Sequence, residues 1–227
     1  MRPALIVFAK VPRPGGVKTR LSPPLTPSEA AELYDAFLHD ALEIYERVDA
    51  DVRLYLVDGP TETEQYPRLE TFFQQTGEGL GERMSNAFAE TFSAGYDRVC
   101  IIGTDHPTIE SGLIDSAFAS LADNDLVVGP SLDGGYYLMG MKRLHKQLFS
   151  DMLYSHGDVF EDTIGRARSI NLTTRVLMEW YDVDDLESLR LLIRDLENHA
   201  SELPRTRRIA GKLMTRYPAD LYIEKSA

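Results

Sequence analysis

ALIVFAKVPRPGGVKTRL, residues 4–21, passes in one step from an unbroken apolar run into a stiff cationic loop. A run such as ALIVFA, with no polar residue at alternate positions, suits a strand covered on both faces, as in a parallel sheet flanked by helices. The twelve residues that follow hold two prolines, two glycines, two lysines and two arginines. Two readings stand at this point: a solvated connection, or a loop that cradles an anion. Gly15 and Gly16 permit backbone conformations closed to other residues and a close approach by a ligand. Lys18 and Arg20 can neutralise phosphate oxygens. The loop is neither a P-loop, since Val17 stands between Gly16 and Lys18, nor a GxGxxG fingerprint.

Outward from this stretch, apolar runs alternate with amphipathic ones. Residues 27–48 are predicted as a helix with Ser28 as a candidate cap; Ala30, Leu33, Phe37, Ala41, Ile44 and Val48 recur at spacings of three and four. VRLYLV (52–57), RVCIIG (98–103) and DLVVGP (125–130) read as strands, and 82–94 and 110–122 as helices. GGYYLMGM (134–141) reads as an aromatic-rich strand after a tight turn at Asp133-Gly134-Gly135. Short helices near 142–149 and 158–168, a strand at 174–180, a helix at 184–198 and a helical tail from Pro204 complete the pattern. Four strand–helix units followed by an irregular C-terminal half predict an α/β fold: a doubly wound, mostly parallel sheet with helices on both faces. Ligands of such sheets bind at the carboxyl ends of the strands.

The chain has 227 residues and a net charge of −12, which suits a single domain and argues against nucleic acid as the main partner. Against that acidic background the cluster Lys10, Arg13, Lys18 and Arg20 stands out. The single cysteine, Cys100, lies in an apolar run and reads as a small buried hydrophobe. No apolar stretch approaches the ~20 residues of a membrane span, and no signal-peptide pattern opens the chain, so a cytoplasmic location is expected.

Four further segments carry unusual chemistry. In GTDHPTI (103–109), Asp105 ends a strand; it is either an oxygen ligand for Mg²⁺ or Mn²⁺ or the cap of a turn. His106 beside it reads as an ordinary loop residue. Tyr136 and Tyr137 bring amphipathic rings of the kind that line sugar or base pockets, one on each face of the sheet. In YDVDDLESL (181–189), Asp185 suits a helix N-terminus, while Asp182 and Asp184 point the same way if the backbone is extended, so that a carboxylate there can meet Asp105. GEGLGERMSNAF (77–88) is either a capped helix start or an anion site built on its amides.

Taken in order, FAKxPxPGxVKTRL, GLGERM, GTDxP, GPxxDGGYYLxG and YDVD resemble the DUF2064 family of glycosyltransferase-like proteins, over residues 4 to 190. The resemblance implies a Rossmann-like GT-A fold of the nucleotide-diphospho-sugar transferases. More distantly the chain is similar to molybdenum-cofactor and phospholactate nucleotidyltransferases. By that resemblance residues 1–227 form one domain: a nucleotide-binding half (1–130), an acceptor and metal half (131–190) and a helical tail (191–227). Ala9, Lys10, Gly15, Gly16, Lys18, Thr19, Arg20, Gly81 and Arg83 would bind the nucleotide. Asp105 and Asp184 would hold Mg²⁺ or Mn²⁺, and Gly134, Gly135, Tyr136 and Tyr137 would face the acceptor. Lys18 would assist the leaving group, and Asp133 is the candidate general base. Where family members read Trp-Ser-Thr, this chain has Tyr154-Ser155-His156, and Asp-Thr-Pro-Glu-Asp-Leu becomes Asp184-Asp185-Leu186-Glu187-Ser188-Leu189.

The expected function is metal-dependent glycosyl transfer from a nucleotide-sugar to a small acceptor. One alternative is nucleotidyl transfer from a nucleoside triphosphate with release of pyrophosphate. The other is a nucleotide-binding module without catalysis.

Overall fold

A computed structural model describes residues 2–57, 72–196 and 203–221. Strand β1 (Pro3–Lys10) lies inside the sheet, and Ala4 to Val7 are wholly buried. Leu5, Val7 and Ala9 enter one core while Ala4 and Ile6 enter the other, so both faces of the strand are covered. The remaining strands are β2 (Asp51–Val57), β3 (Phe72–Gln74), β4 (Arg98–Ile102), β5 (Leu126–Pro130), β6 (Tyr136–Met141) and β7 (Thr174–Val176). The seven strands run in the order β3-β2-β1-β4-β6-β5-β7. All the pairings are parallel except those of β6, which is antiparallel to both β4 and β5.

Helices α1 (Pro27–Tyr45), α3 (Ser111–Ser120), α5 (Leu186–Asp195) and α6 (Pro204–Arg216) bury residues in the core that receives Leu5 and Val7. Helices α2 (Leu80–Ser93) and α4 (Val159–Ser169) cover the opposite face, and a short α7 (Pro218–Leu221) packs beside α5 and α6. The doubly wound α/β expectation therefore holds. Among the described residues, no helix is long and apolar enough to cross a membrane. Cys100 is fully buried, and burial pushes its thiol pKa well up, as suits a packing residue.

Several local expectations are corrected. Helix α1 is capped by Thr26 rather than Ser28. Only Thr26 places a glutamate, Glu29, three residues on, and the two side chains close a reciprocal capping box with Pro27 in the first turn. The expected helix near 142–149 is a 3-10 turn at Lys146–Leu148. The strand expected over 174–180 pairs regularly only to Val176. Beyond it the chain keeps irregular contact with β5, through Leu177 N–H to the Val128 carbonyl and Trp180 N–H to the Pro130 carbonyl. It is an edge, and Val176 and Met178 stay exposed, so no second neighbour enforces regular pairing. Strand β3 was not expected; three residues carry too little periodicity to register as a strand. The last residues of the helix expected over 184–198, and parts of the 191–227 tail, lie outside the described residues.

Helix α6 has no side-chain cap of its own. Asp40 of α1, wholly buried, supplies it from outside: its carboxylate accepts from Thr206 N–H at 2.7 Å, Arg205 N–H at 3.3 Å and the Arg205 guanidinium at 3.2 Å. Asp40→Ala removes the acceptor of two amides at once and leaves Arg205 with Glu43 alone, at 2.9 Å. It is expected to cost about 2–4 kcal/mol, read as a lowered urea midpoint at unchanged slope.

Candidate active site

The carboxyl ends of β1, β2 and β4 open on one edge of the sheet. Because β6 runs the other way, its amino end, with Tyr136 and Tyr137, comes to that same edge. Between them lies a cleft of about 390 Å³. Its lining contains Ala9, Lys10, Lys18, Arg83, Asp105, Tyr136, Tyr137 and Asp184 from the sequence-predicted set. It also contains Tyr34, Gln75, Met84 and His106, which sequence reasoning did not place there.

Two tyrosines of α1 brace the strand ends. Tyr34 Oη accepts from the Lys10 N–H and bonds Thr104 Oγ1, both at 2.9 Å, and Tyr45 Oη donates to the Gly103 carbonyl at 3.0 Å. They fix the exits of β1 and β4, from which Lys18 and Asp105 follow. A second lacing joins the GTDHP loop to the distant 181–184 segment. Val183 N–H donates to the Asp105 carbonyl at 2.9 Å, and His106 Nδ1 lies 2.9 Å from the Tyr181 carbonyl. Val183 is wholly buried, so in this extended stretch its neighbours Asp182 and Asp184 turn away from the core.

The result is a three-residue centre. The Lys18 ammonium contacts Asp105 Oδ1 directly and stands 2.8 Å from Asp184 Oδ1. The Lys18 side chain is 3% exposed, against 44% and 41% for the two aspartates, so it lies beneath them. Burial alone would lower the Lys18 pKa; the carboxylates of Asp105 and Asp184 outweigh it and hold the group above its ordinary value. Burial likewise pushes the Asp105 carboxyl up, and Lys18 outweighs that, holding it below the usual carboxylate range. A raised lysine and a lowered carboxylate stabilise the fold fully between about pH 4 and pH 10. That contribution is lost as pH falls through the folded value of Asp105 or rises through that of Lys18. Asp182 behaves oppositely: burial first, then Asp184 and Asp133, push it up to about 6. Arg20 stands at the rim, 3.3 Å from Asp185 and 3.9 Å from Asp184.

The other predicted residues lie around this centre. Gly15, Gly16 and Thr19 are exposed on the loop outside the cleft, and Gly15 uses its freedom at φ +78. Gly81 lies in the first turn of α2, where a Cβ would come within 2.7 Å of the Tyr154 ring. Arg83 donates Nε to the Gly77 carbonyl at 3.0 Å, which pins its guanidinium beside the cleft. Asp133 is exposed, and its Oδ1 accepts from Gly135 N–H at 2.9 Å, closing its own turn. Gly134 (φ +85) and Gly135 shape that turn. The Tyr136 hydroxyl points to Met84 Sδ at 3.7 Å, and the Tyr137 hydroxyl donates to the Met178 carbonyl at 3.0 Å; both residues line the cleft, Tyr137 with only 2% of its surface exposed. His106, 7% exposed, packs its ring edge-on against Tyr137; burial lowers its pKa and keeps it neutral. In the Tyr154-Ser155-His156 segment, His156 staples its own loop: Nε2 lies 3.0 Å from the Leu153 carbonyl, and Nδ1 accepts from Asp158 N–H at 3.2 Å.

A crystal structure from Desulfovibrio desulfuricans G20, provisionally named a nucleotide-diphospho-sugar transferase, matches with a TM-score of 0.88 and 31% identity, covering 97% of each chain. A 4-diphosphocytidyl-2C-methyl-D-erythritol synthase from Anaerococcus prevotii DSM 20548 matches with a TM-score of 0.58 at 11% identity, covering 86% of this chain and 96% of that one. A cytidylyltransferase from Leptospira borgpetersenii serovar Hardjo-bovis matches with a TM-score of 0.55 at 12% identity, covering 100% and 99%. At such low identity these last two likenesses speak to the fold alone. No curated protein matches the chain. The profile of a family described as "Uncharacterized protein conserved in bacteria (DUF2064)" matches residues 41–156, and with that the chain belongs to the DUF2064 family.

Proposed function

We propose that the chain is a metal-dependent transferase acting on a nucleotide-activated donor, moving a glycosyl group from a nucleoside diphosphate sugar to a small acceptor. The observation that carries this reading is the convergence of Asp105 and Asp184 on one cationic centre at the strand ends of a cleft that also holds Lys10 and Arg83. The similarity to the Desulfovibrio protein named for this chemistry supports it.

The donor set fits Mg²⁺ or Mn²⁺. Two hard carboxylate oxygens face one point, and such ions commonly take one or two protein carboxylates and complete their shell with substrate phosphates and water. Among the described residues no group of three or more His, Cys, Asp or Glu is placed to hold an ion, so an ion held by Asp105 and Asp184 would take the rest of its shell from substrate and water. Bound there, the ion would supply neutralisation of the diphosphate leaving group. Lys10, Lys18 and Arg83 would hold phosphate oxygens from the protein side. The half-buried Tyr136 ring would give the transferred group or the acceptor a flat face, while the buried Tyr137 would shape the wall behind it. Asp133, the candidate general base, would take a proton on Oδ2 while Oδ1 keeps the Gly135 N–H. Positioning, rather than covalent chemistry by the chain, would supply most of the acceleration.

Three cationic side chains along one cleft also suit a triphosphate, which favours nucleotidyl transfer as the second reading. The test is incubation of the protein and Mg²⁺ or Mn²⁺ with panels of nucleoside diphosphate sugars and nucleoside triphosphates. Release of a nucleoside diphosphate from a sugar nucleotide is expected. Pyrophosphate release from a triphosphate replaces the first reading by the second. Thermal stabilisation by nucleotides with no turnover on any acceptor leaves a binding module.

A further inference from the structure

In the free protein the point between Asp105 and Asp184 is held by the protein's own ammonium. Lys18 is built into that place: its backbone sits in the left-handed region (φ 47, ψ 39), where a non-glycine residue is strained, and opens the 3-10 turn Thr19–Leu21. Its Nζ lies beneath the aspartates, 5.9 Å from the centre of the Tyr34 ring, with only 3% of the side chain exposed. The ammonium takes Oδ1 of each aspartate, so a divalent ion drawn to the same point would stand beside it. The two cations would repel at that distance.

The charges decide what can enter. A divalent ion arriving alone would displace a buried ammonium and leave it without a counter-ion, which is costly. A polyphosphate arriving alone would set new negative charge against Asp105 and Asp184 while competing for the one cation that pairs them. The metal–polyphosphate pair meets neither obstacle. The ion takes the carboxylates as the ammonium moves to the phosphate oxygens, and every charge keeps a partner throughout. Arg20, 3.9 Å from Asp184, remains at the rim to follow the same anion.

We propose that Lys18 is a place-holder in the metal site, so that this site discriminates against the free divalent ion and the free nucleotide and takes the two together. The proposal rests on Asp105 and Asp184 being the metal ligands. It makes metal and nucleotide mutually cooperative, with coupling that is equal in both directions and of the usual size, about 10- to 100-fold.

The test reads binding, not catalysis. Mn²⁺ alone is titrated into the full-length wild type, Lys18→Met and Lys18→Met/Asp105→Asn, with free ion counted by electron paramagnetic resonance. Thermal shift in the same samples reports stabilisation by ADP, CDP, GDP or UDP with and without Mn²⁺. Lys18→Met is expected to bind Mn²⁺ at least tenfold more tightly than the wild type, and the double variant to lose the gain. Lys18→Met binding no more tightly than the wild type overturns the place-holder, while a persisting Mn²⁺-dependent nucleotide shift in the wild type leaves the transferase reading intact. Absence of any such shift in the wild type overturns both. Should Lys18→Met fail to fold, Lys18→Gln, whose amide still donates to one carboxylate, carries the same comparison.

Discussion

Asp105→Asn is expected to reduce transfer by about three orders of magnitude or more and to abolish the metal-dependent part of nucleotide binding. The substitution keeps the shape of the side chain and removes a charged oxygen ligand. Loss of an ion that neutralises a leaving group costs several kcal/mol of transition-state stabilisation, and each 1.36 kcal/mol is tenfold in rate. The fold should survive. The link that ties this loop to the 181–184 segment is made by the Asp105 main-chain carbonyl, which accepts from Val183 N–H. Lys18 keeps its bond to Asp184 at 2.8 Å. With the Asp105 side chain 44% exposed, the lost ion pair is screened and is expected to cost only about 1 kcal/mol. Product formation and a thermal melt, measured on the same preparation, separate the two effects. Activity within tenfold of the wild type would remove Asp105 from the metal centre.

Among the described glycines outside the sheet, Gly134→Ala should be the most damaging, lowering stability by about 3 kcal/mol or more. Two independent costs add. Gly134 has φ +85, a region that an L side chain enters at about 1 kcal/mol. Its added Cβ would also lie 1.8 Å from the Gly157 main-chain carbonyl, which cannot swing aside as a side chain can. The Gly134 carbonyl accepts from Phe160 N–H at 2.8 Å, so displacement of the turn also loosens the start of α4. Two neighbouring substitutions calibrate the effect. Gly15→Ala, with positive φ and open space, should cost about 1 kcal/mol. Gly135→Ala, whose nearest neighbour is the Asp133 carboxylate at 3.1 Å, should cost about that or less. Urea denaturation of the three variants tests the ranking, and a Gly134→Ala midpoint equal to that of Gly15→Ala would refute the clash.

Much of the architecture was legible in the chain because it depends on short-range pattern. The buried run at 4–9, the three-and-four spacing of α1 and the apolar strands at 98–103 and 125–130 report whether a segment is covered on one face or two. That property repeats every two or four residues. The loops after β1 and β4 were legible as chemistry, since cations, glycines and a strand-end aspartate stand out against an acidic composition. Tyr34 and Gln75 carried no such signal. Tyr34 occupies a position on α1 that packing alone would fill, and only its hydroxyl, bound to Lys10 N–H and Thr104, gives it a place in the cleft. Gln75 follows a three-residue strand, and its amide bridges the Ala9 and Tyr55 carbonyls at 3.2 and 2.9 Å. His106 read as a loop residue because its role comes from Tyr137 and Tyr181, neither of them a sequence neighbour.

By itself, then, the sequence determined the fold class, the doubly wound order of strands and helices, and the set of loops that carry charge. The tertiary structure decided which of those charges meet. Lys18 and Asp184 lie 166 residues apart, and nothing local in either segment specifies their distance. They are brought together because β6 inserts antiparallel between β4 and β5, the 181–184 segment hydrogen-bonds the Asp105 loop, and the two carboxylates offset the cost of taking the lysine out of water.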